Sequence, residues 1–269
     1  MSGRCAIIAG SGALAPELAR RLENPLIAAP EGAAPEGLAA MEFRLERLVP
    51  FLDHLSDQGV SEVVFAGAVR RPRLDPEAFD SRTAMLVPRM IAAMGQGDDA
   101  ALRVLLEIFE EHGLEIRAVQ DIAPDLVPSE GVLCGAPSDA DRRDAARAAE
   151  ILRGAGKLDL GQGAVVAGGL CMALETLPGT EAMLDFAARH AALRPGPARG
   201  VFYKAPKPGQ DLRVDLPTLG PDSVDQAARA GLAGIAFQAG GVLLLDRDEA
   251  IRRANAQGMF LWAAPDLSI

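Results

Sequence analysis

The sequence predicts an α/β protein built in two domains. Strand-like and helix-like segments alternate through the first half, which is the pattern of a mostly parallel sheet with helices on both faces. A glycine turn, Gly10-x-Gly12, stands between the first strand and the first helix. Near Ala136 the texture changes to closely spaced short strands and turns richer in glycine. The boundary is therefore expected after residue 135, giving domains 1–135 and 136–269.

Taken in order, "RCAIIAGSGALAPELARRL" reads as strand, glycine turn and helix, and "NPLIAA" as a second strand. "VPFLDHLSDQG" is a helix and "SEVVFAG" a third strand ending near Gly67. "SRTAMLVPRMIAAMG" and "DDAALRVLLEIFEEHG" are helical; Leu102, Leu105, Leu106 and Phe109 of the latter fall on one face. "LEIRAV" returns as a strand. "GAPSDADRRDAARAAEILRGAG" then leads into an Ala/Arg helix capped by Ser138 or Asp139. Beyond it, "AVVAGG", "CMALE", "GVFYKA", "GIAFQAG", "GVLLLD" and "MFLWAA" are short strands, with helices over 180–193, 221–230 and 246–257.

Composition excludes several classes. The net charge is −10, and Trp262 and Tyr203 are the single tryptophan and tyrosine. A nucleic-acid partner would demand a basic footprint and exposed rings, so none is expected. Cys5, Cys134 and Cys171 stand far apart in apolar company and are read as buried structural thiols in a reducing cytoplasm. His54, His112 and His190 each stand alone in helical patterns, as surface or cap residues. The N-terminus imitates a short signal peptide, but Gly10, Ser11 and Gly12 break its apolar run, and no stretch reaches membrane-spanning length. A soluble protein is expected.

Several segments carry candidate chemistry. The turn Gly10, Ser11, Gly12 lacks the third glycine of the dinucleotide fingerprint, so pattern alone leaves a bare turn and an anion-binding turn equally open. Arg70, Arg71 and Arg73 follow the third strand, either as a solvated cluster or as phosphate contacts. Asp98 or Asp99 is expected to cap the next helix. "DLGQGAVVAGG" and "LETLPGTEAML" supply Gln162, Glu175, Gly179 and Thr180, and N-capping alone would account for Thr180.

The strongest signal is "KAPKPGQDLRVDLPTLGPDSVD", residues 204–225. Lys204 and Lys207 flank Ala205 and Pro206, which keep the segment extended. Asp211, Arg213 and Asp215 alternate with Leu212 and Val214 as in a strand. A helix follows, with Pro221 first and Gly231 as its stop. Asp222 suits the helix dipole. Asp225 lies a turn further in, where its bland partner is Arg229, four residues on. Two carboxylates about 4 Å apart repel by about 4 kcal/mol at an effective dielectric near 20, so a cation must offset them. Oxygen-rich sites of this kind suit Mg²⁺ or Mn²⁺ completed by substrate phosphates.

These motifs, with "ANAQGMFLW" near the C-terminus, resemble the UDP-2,3-diacylglucosamine pyrophosphatases of the lipid A pathway, the family unrelated to the calcineurin-like enzymes, over nearly the whole chain. The resemblance implies a Rossmann-like N-terminal domain and a distinct C-terminal α/β domain with the substrate between them. It implies metal-assisted attack of water at the α-phosphorus, giving UMP and 2,3-diacylglucosamine 1-phosphate. Asp225 matches the essential aspartate, as metal ligand or water activator. Lys204, Lys207, Gln210, Asp211 and Arg213 fall in the matching K-x-x-K-x-x-Q-D-x-R stretch, with Lys204 and Asp211 expected in catalysis and the others in substrate binding. Gln162, Gly179, Thr180 and the Gly10-Ser11-Gly12 turn fall in the matching binding segments, although Ala15 before Pro16 is one residue more than the family pattern. A lipid-linked UDP-sugar as substrate, Mg²⁺ (or Mn²⁺) as cofactor, a homodimer and transient contact with the cytoplasmic face of the inner membrane are likewise implied. The rival readings are an NAD(P)-dependent oxidoreductase and a non-catalytic sugar-nucleotide or lipid sensor. Against the former stand the absent third glycine, ribose acid and hydride-site His or Tyr.

Overall fold

Five apolar runs in the first part of the chain become one parallel sheet in the computed structural model, which describes residues 3–69, 74–95 and 97–267. They are β1 (Arg4–Ala9), β2 (Leu26–Pro30), β3 (Met41–Phe43), β4 (Val60–Ala66) and β5 (Glu115–Ile116). Their order is β3-β2-β1-β4-β5, with every pair parallel. That is the Rossmann order, with the first strand central and the crossover point beside it. β1 is central because Cys5 through Ala9 are all buried, as a strand covered on both faces must be.

The helices of this unit are α1 (Leu14–Ala19), α2 (Leu48–Asp57), α3 (Ser81–Ala84), α4 (Val87–Met94), α5 (Asp98–Glu111) and α6 (Val119–Ile122). Phe43 stacks on Phe51 at 3.9 Å between centroids, and Phe109 meets Phe51 edge-on at 6.4 Å. Leu102, Leu105, Leu106 and Phe109 do share the face of α5 that packs into this core. The cap of that helix differs from expectation: Gly97, at φ 124°, holds the N-cap position and Asp98 opens the helix. His112 stands at the C-cap of α5, its ring nitrogen 2.7 Å from the Ile108 carbonyl.

The second unit contains β6 (Gly131–Cys134), β7 (Gly163–Ala167), β8 (Leu170–Leu174), β9 (Val201–Lys204), β10 (Thr218–Leu219), β11 (Gly234–Gln238), β12 (Leu243–Leu244) and β13 (Phe260–Ala264). Six of these form a sheet in the order β6-β13-β11-β9-β7-β8, and β10 and β12 pair separately. β9, β11 and β13 are parallel, whereas β6, β7 and β8 join antiparallel. Helix α7 (Asp139–Gly156) covers one face, packing Ala145, Ala148, Ala149 and Leu152 against Val166, Tyr203 and Trp262. Helices α8 (Gly179–Arg189), α9 (Pro221–Arg229) and α10 (Arg247–Ala256) belong to the opposite core. Ser138 caps α7 in a reciprocal capping box with Asp141, as its sequence suggested.

The compact units are Met1–Pro124 with Arg213–Asp215, and Asp125–Leu212 with Leu216–Ile269. The division therefore falls before the expected 135/136 boundary, because β6 hydrogen-bonds to β13 in the second sheet. The segment Asp211 to Asp215 is not a strand. Residues 212–214 form a turn, Val214 packs on the first unit's core and Arg213 pairs with Glu110 at 2.8 Å. Cys5 and Cys134 are buried, but Cys171 is exposed because β8 is an edge strand. Arg70, Arg71, Arg73 and Gln96 lie outside the described residues.

One buried carboxylate fixes the β7–β8 hairpin. Gly168 and Gly169 turn the chain with φ of 57° and 80°, the pair of left-handed residues that a tight type I′ turn requires. Asp144, on α7 and 5% exposed, accepts both of their amides, at 2.9 and 2.7 Å. Asp144→Ala leaves both donors unpaired, at about 1–3 kcal/mol. Chemical denaturation is expected to register that loss with the m-value unchanged.

Candidate active site

The second sheet ends, at the C-terminus of β9, on a buried lysine. Lys204 is 6% exposed. An ammonium so placed must find acceptors inside the protein, because losing its water shell costs several kcal/mol. Two neighbouring elements supply them. Lys204 Nζ donates to Thr180 Oγ1 at 2.6 Å, and Glu175 Oε2 lies 3.7 Å from the same nitrogen. Thr180 in turn donates to Glu175 Oε1 at 2.8 Å. Glu175 is the residue following β8, and Thr180 is the second residue of α8. Thr180 is therefore not the N-cap, a position held by Pro178.

The glycines around this cluster are required by close approach. Gly161 donates to the Glu175 carbonyl at 3.1 Å, and Glu175 donates to the Gly163 carbonyl at 2.8 Å. A Cβ on Gly161 would lie 2.3 Å from the Glu175 carbonyl oxygen; one on Gly163 would lie 2.7 Å from Glu175 Oε2 and 3.0 Å from the Phe202 ring. The Gly161-Gln162-Gly163 stretch thus forms a cradle around Glu175.

The loop leaving β9 folds back onto the same stretch. Ala205 donates to the Gln162 carbonyl at 3.0 Å, and Gln162 Nε2 donates to Gln210 Oε1 at 2.7 Å. Gln210 Oε1 also accepts the Lys207 amide at 2.8 Å, closing the loop on itself. Lys207 Nζ pairs with Asp159 at 2.5 Å. Asp211 lies partly buried at the end of this loop. Lys204, Lys207, Gln162, Gln210, Gly179 and Thr180 are therefore brought together in one unit. Glu175, a candidate from the same LETLPGTEAML segment as Thr180, joins them.

Asp225 makes a different set of contacts. Its Oδ2 accepts from Arg253 Nη1 at 2.5 Å, and Asp222 Oδ1 lies 3.6 Å from the same nitrogen. The expected partner four residues on, Arg229, is replaced by a residue of α10. Arg253 also donates to Glu249 at 2.7 Å, and Glu249 takes a bidentate pair from Arg252. Hydrogen bonds from Arg252 and Arg253 hold the Glu249 carboxyl well below its usual range, at about 2. Asp225 is 37% exposed and thus accessible. Among the described residues no group of three or more His, Cys, Asp or Glu side chains is disposed to hold a metal.

In the first unit, Gly10 and Ser11 serve the strand ends. Ser11 and Ala68 exchange backbone hydrogen bonds at 2.9 and 3.0 Å, and Ser11 Oγ donates to the Ala68 carbonyl at 3.0 Å. A Cβ on Gly10 would fall 2.5 Å from that carbonyl, whereas Gly12, at φ 102°, opens onto free space. Tyr203 is 1% exposed, and burial raises its pKa.

An apolar groove of about 470 Å³ runs beside the Lys204 cluster, between β8 and α8. Met172, Leu174, Ala182, Met183 and Phe186 line it, and Gly179 forms part of its wall. Leu177, 97% exposed, stands in the β8–α8 connection between the lining residues Thr176 and Pro178.

Comparison with known proteins agrees with this division. Residues 4–126 match the family described as LpxI N-terminal domain, and residues 129–262 match LpxI C-terminal domain. A Caulobacter vibrioides protein, UDP-2,3-diacylglucosamine pyrophosphatase LpxI, is 38% identical over 276 aligned positions, covering 95% of each chain.

The cradle geometry gives two substitutions opposite signs. Gly163→Ala must displace Glu175 or Phe202 and is expected to destabilise by about 1–3 kcal/mol. Gly154→Ala, inside α7 where a Cβ meets nothing within 4 Å, is expected to stabilise by about 0.5–1 kcal/mol. Paired thermal melts of the two variants measure the difference.

Proposed function

The chain belongs to the LpxI family, and on that premise we propose that it hydrolyses the diphosphate of UDP-2,3-diacylglucosamine in lipid A biosynthesis. Water adds to the α-phosphorus, the bond to the bridging oxygen breaks, and UMP and 2,3-diacylglucosamine 1-phosphate leave. The observation that carries this reading is the buried Lys204 ammonium at the sheet end, beside an apolar groove. A cation already stripped of water meets phosphate oxygens without further reorganisation, which is where fixed charges act most strongly on phosphoryl transfer.

In this reading Lys204 stabilises the charge that develops on the phosphate oxygens. Lys207 adds a second cation, and Gln162 and Gln210 hold the loop that carries it. Asp211 stands at the end of that loop as a further polar contact. Asp225 orients or deprotonates the attacking water; it shares its carboxylate with Arg253, so substrate binding competes with that pair. A hard divalent ion, Mg²⁺ or Mn²⁺, would be held by the Asp225 carboxylate together with substrate phosphate oxygens. Such an ion, when bound, lowers the pKa of coordinated water and polarises the phosphate. Gly10, Ser11, Gly12 and Arg213 keep substrate contacts by the family motif alone.

The groove between β8 and α8 suits an acyl chain of the substrate. Its volume lies within the usual range for ligand sites, and its lining is mainly apolar. Among the described residues no helix is long and apolar enough to cross a membrane. We place the enzyme at the cytoplasmic face of the inner membrane, acting as a homodimer.

Hydrolysis in ¹⁸O-water is expected to label UMP, with Asp225→Ala lowering kcat at least about 10²-fold; label in the lipid product, or normal turnover by the variant, contradicts the mechanism. Ala182→Trp fills the groove. It is expected to flatten the gain in kcat/KM with acyl length, normally about threefold to fourfold per seated methylene, while an acetylated analogue reacts as before. An unchanged chain-length dependence would place the acyl chain elsewhere.

A further inference from the structure

We propose that Glu175 is a positioning residue for Lys204, acting through the Thr180 hydroxyl, and that the Gly161-Gln162-Gly163 stretch exists to seat it. This inference rests on the catalytic assignment of Lys204. Valence decides the direction of each hydrogen bond. An ammonium has donors only, so Thr180 Oγ1 accepts from Lys204 at 2.6 Å. A carboxylate has acceptors only, so the one proton of Thr180 goes to Glu175 Oε1, at 2.8 Å. The hydroxyl is thereby committed on both sides. Thr180 can give no proton to a substrate without releasing Glu175, so in this arrangement it is a link and not a substrate donor.

The second carboxylate oxygen points to the same role. Glu175 Oε2 is buried without a hydrogen-bond donor, and Lys204 Nζ stands 3.7 Å away. Its negative charge therefore acts on the ammonium through a short, dry path, in which attraction is poorly screened. The carboxylate cannot drift from this position. Gly163 leaves it 2.7 Å from where a Cβ would be, the Met183 methyl lies 3.3 Å from the same point, and Gly161 binds its backbone. The 161–163 stretch and α8 thus fix the carboxylate beside Lys204.

The decisive experiment is a kinetic double-mutant cycle on the purified full chain with UDP-2,3-diacylglucosamine. Glu175→Gln keeps the side chain's shape and removes its charge. It is expected to lower kcat by about 10²-fold, the scale of a misplaced catalytic group, with KM within about twofold. Lys204→Ala is expected to abolish measurable turnover or leave a small residue of it. In that background Glu175→Gln is expected to change the residual rate by less than about twofold, since groups acting as a unit are non-additive. Thr180→Val should reproduce the loss of Glu175→Gln, and the Glu175→Gln/Thr180→Val pair should lose no more than either alone. Glu175→Asp, which keeps the charge but shortens its reach, is expected to recover part of kcat. Circular dichroism melts of each variant separate misfolding from loss of positioning.

Full turnover by folded Glu175→Gln while Lys204→Ala is inactive overturns the role of Glu175 alone. Losses that multiply in the double variants assign Glu175 a merely structural part and also overturn it. Normal turnover by Lys204→Ala overturns the catalytic assignment itself, and the positioning role with it.

Discussion

A buried ammonium governs the second unit. Lys204 has left water almost completely, and a charge in that position is tolerated only where acceptors are already in place. That requirement links four segments: the end of β9, the residue after β8, the first turn of α8 and the Gly161-Gln162-Gly163 cradle. The antiparallel β7–β8 hairpin brings the Glu175 end of β8 alongside the Lys204 end of β9, since Gly163 is in register with both Lys204 and the start of the Glu175 turn. Asp144 fixes the far end of the same hairpin from α7. Hydrogen bonds thus hold the hairpin at both ends, and the loop after β9 adds its own bonds to Gln162.

The α9–α10 surface follows a different rule. Asp225, Arg253, Glu249 and Arg252 form a ladder of ion pairs on half-exposed or exposed side chains. Pairs of this kind are screened by solvent and are individually worth little. They can therefore be exchanged at small cost, which suits the proposed change of partner by Asp225 on substrate binding. The depressed Glu249 carboxyl means that Glu249 keeps its charge through neutral and mildly acidic conditions and loses it only as pH falls towards 2. One set of charges is fixed and the other adjustable, and the proposed chemistry uses both.

Much of the fold is legible in the residues because it is local. The apolar stripe of α5, the Ser138 cap of α7 and the Pro221 start of α9, with Gly231 at φ 68° after its end, are each written within a few positions. What eludes such reading depends on distant partners. β6 belongs to the second sheet only because β13 lies beside it. The alternation in Asp211 to Asp215 imitates a strand, but Arg213 and Val214 turn to Glu110 and the first core instead. Cys171 sits in an apolar run like its two buried counterparts, yet its strand is an edge. At the site, Lys204, Thr180 and Gln162 stand in segments with family motifs. Glu175 stands in such a segment too, but its contact with Lys204 is not legible there, because it depends on how β8 and β9 each pair with β7.

The central claim is that Lys204, held by Thr180 and Glu175, is the cation that meets the substrate's phosphate. A crystal structure with bound 2,3-diacylglucosamine 1-phosphate tests it directly. The account predicts a phosphate oxygen within about 3 Å of Lys204 Nζ, with the Thr180 and Glu175 bonds intact. A phosphate seated on other residues, with Lys204 still enclosed by protein atoms alone, would contradict it.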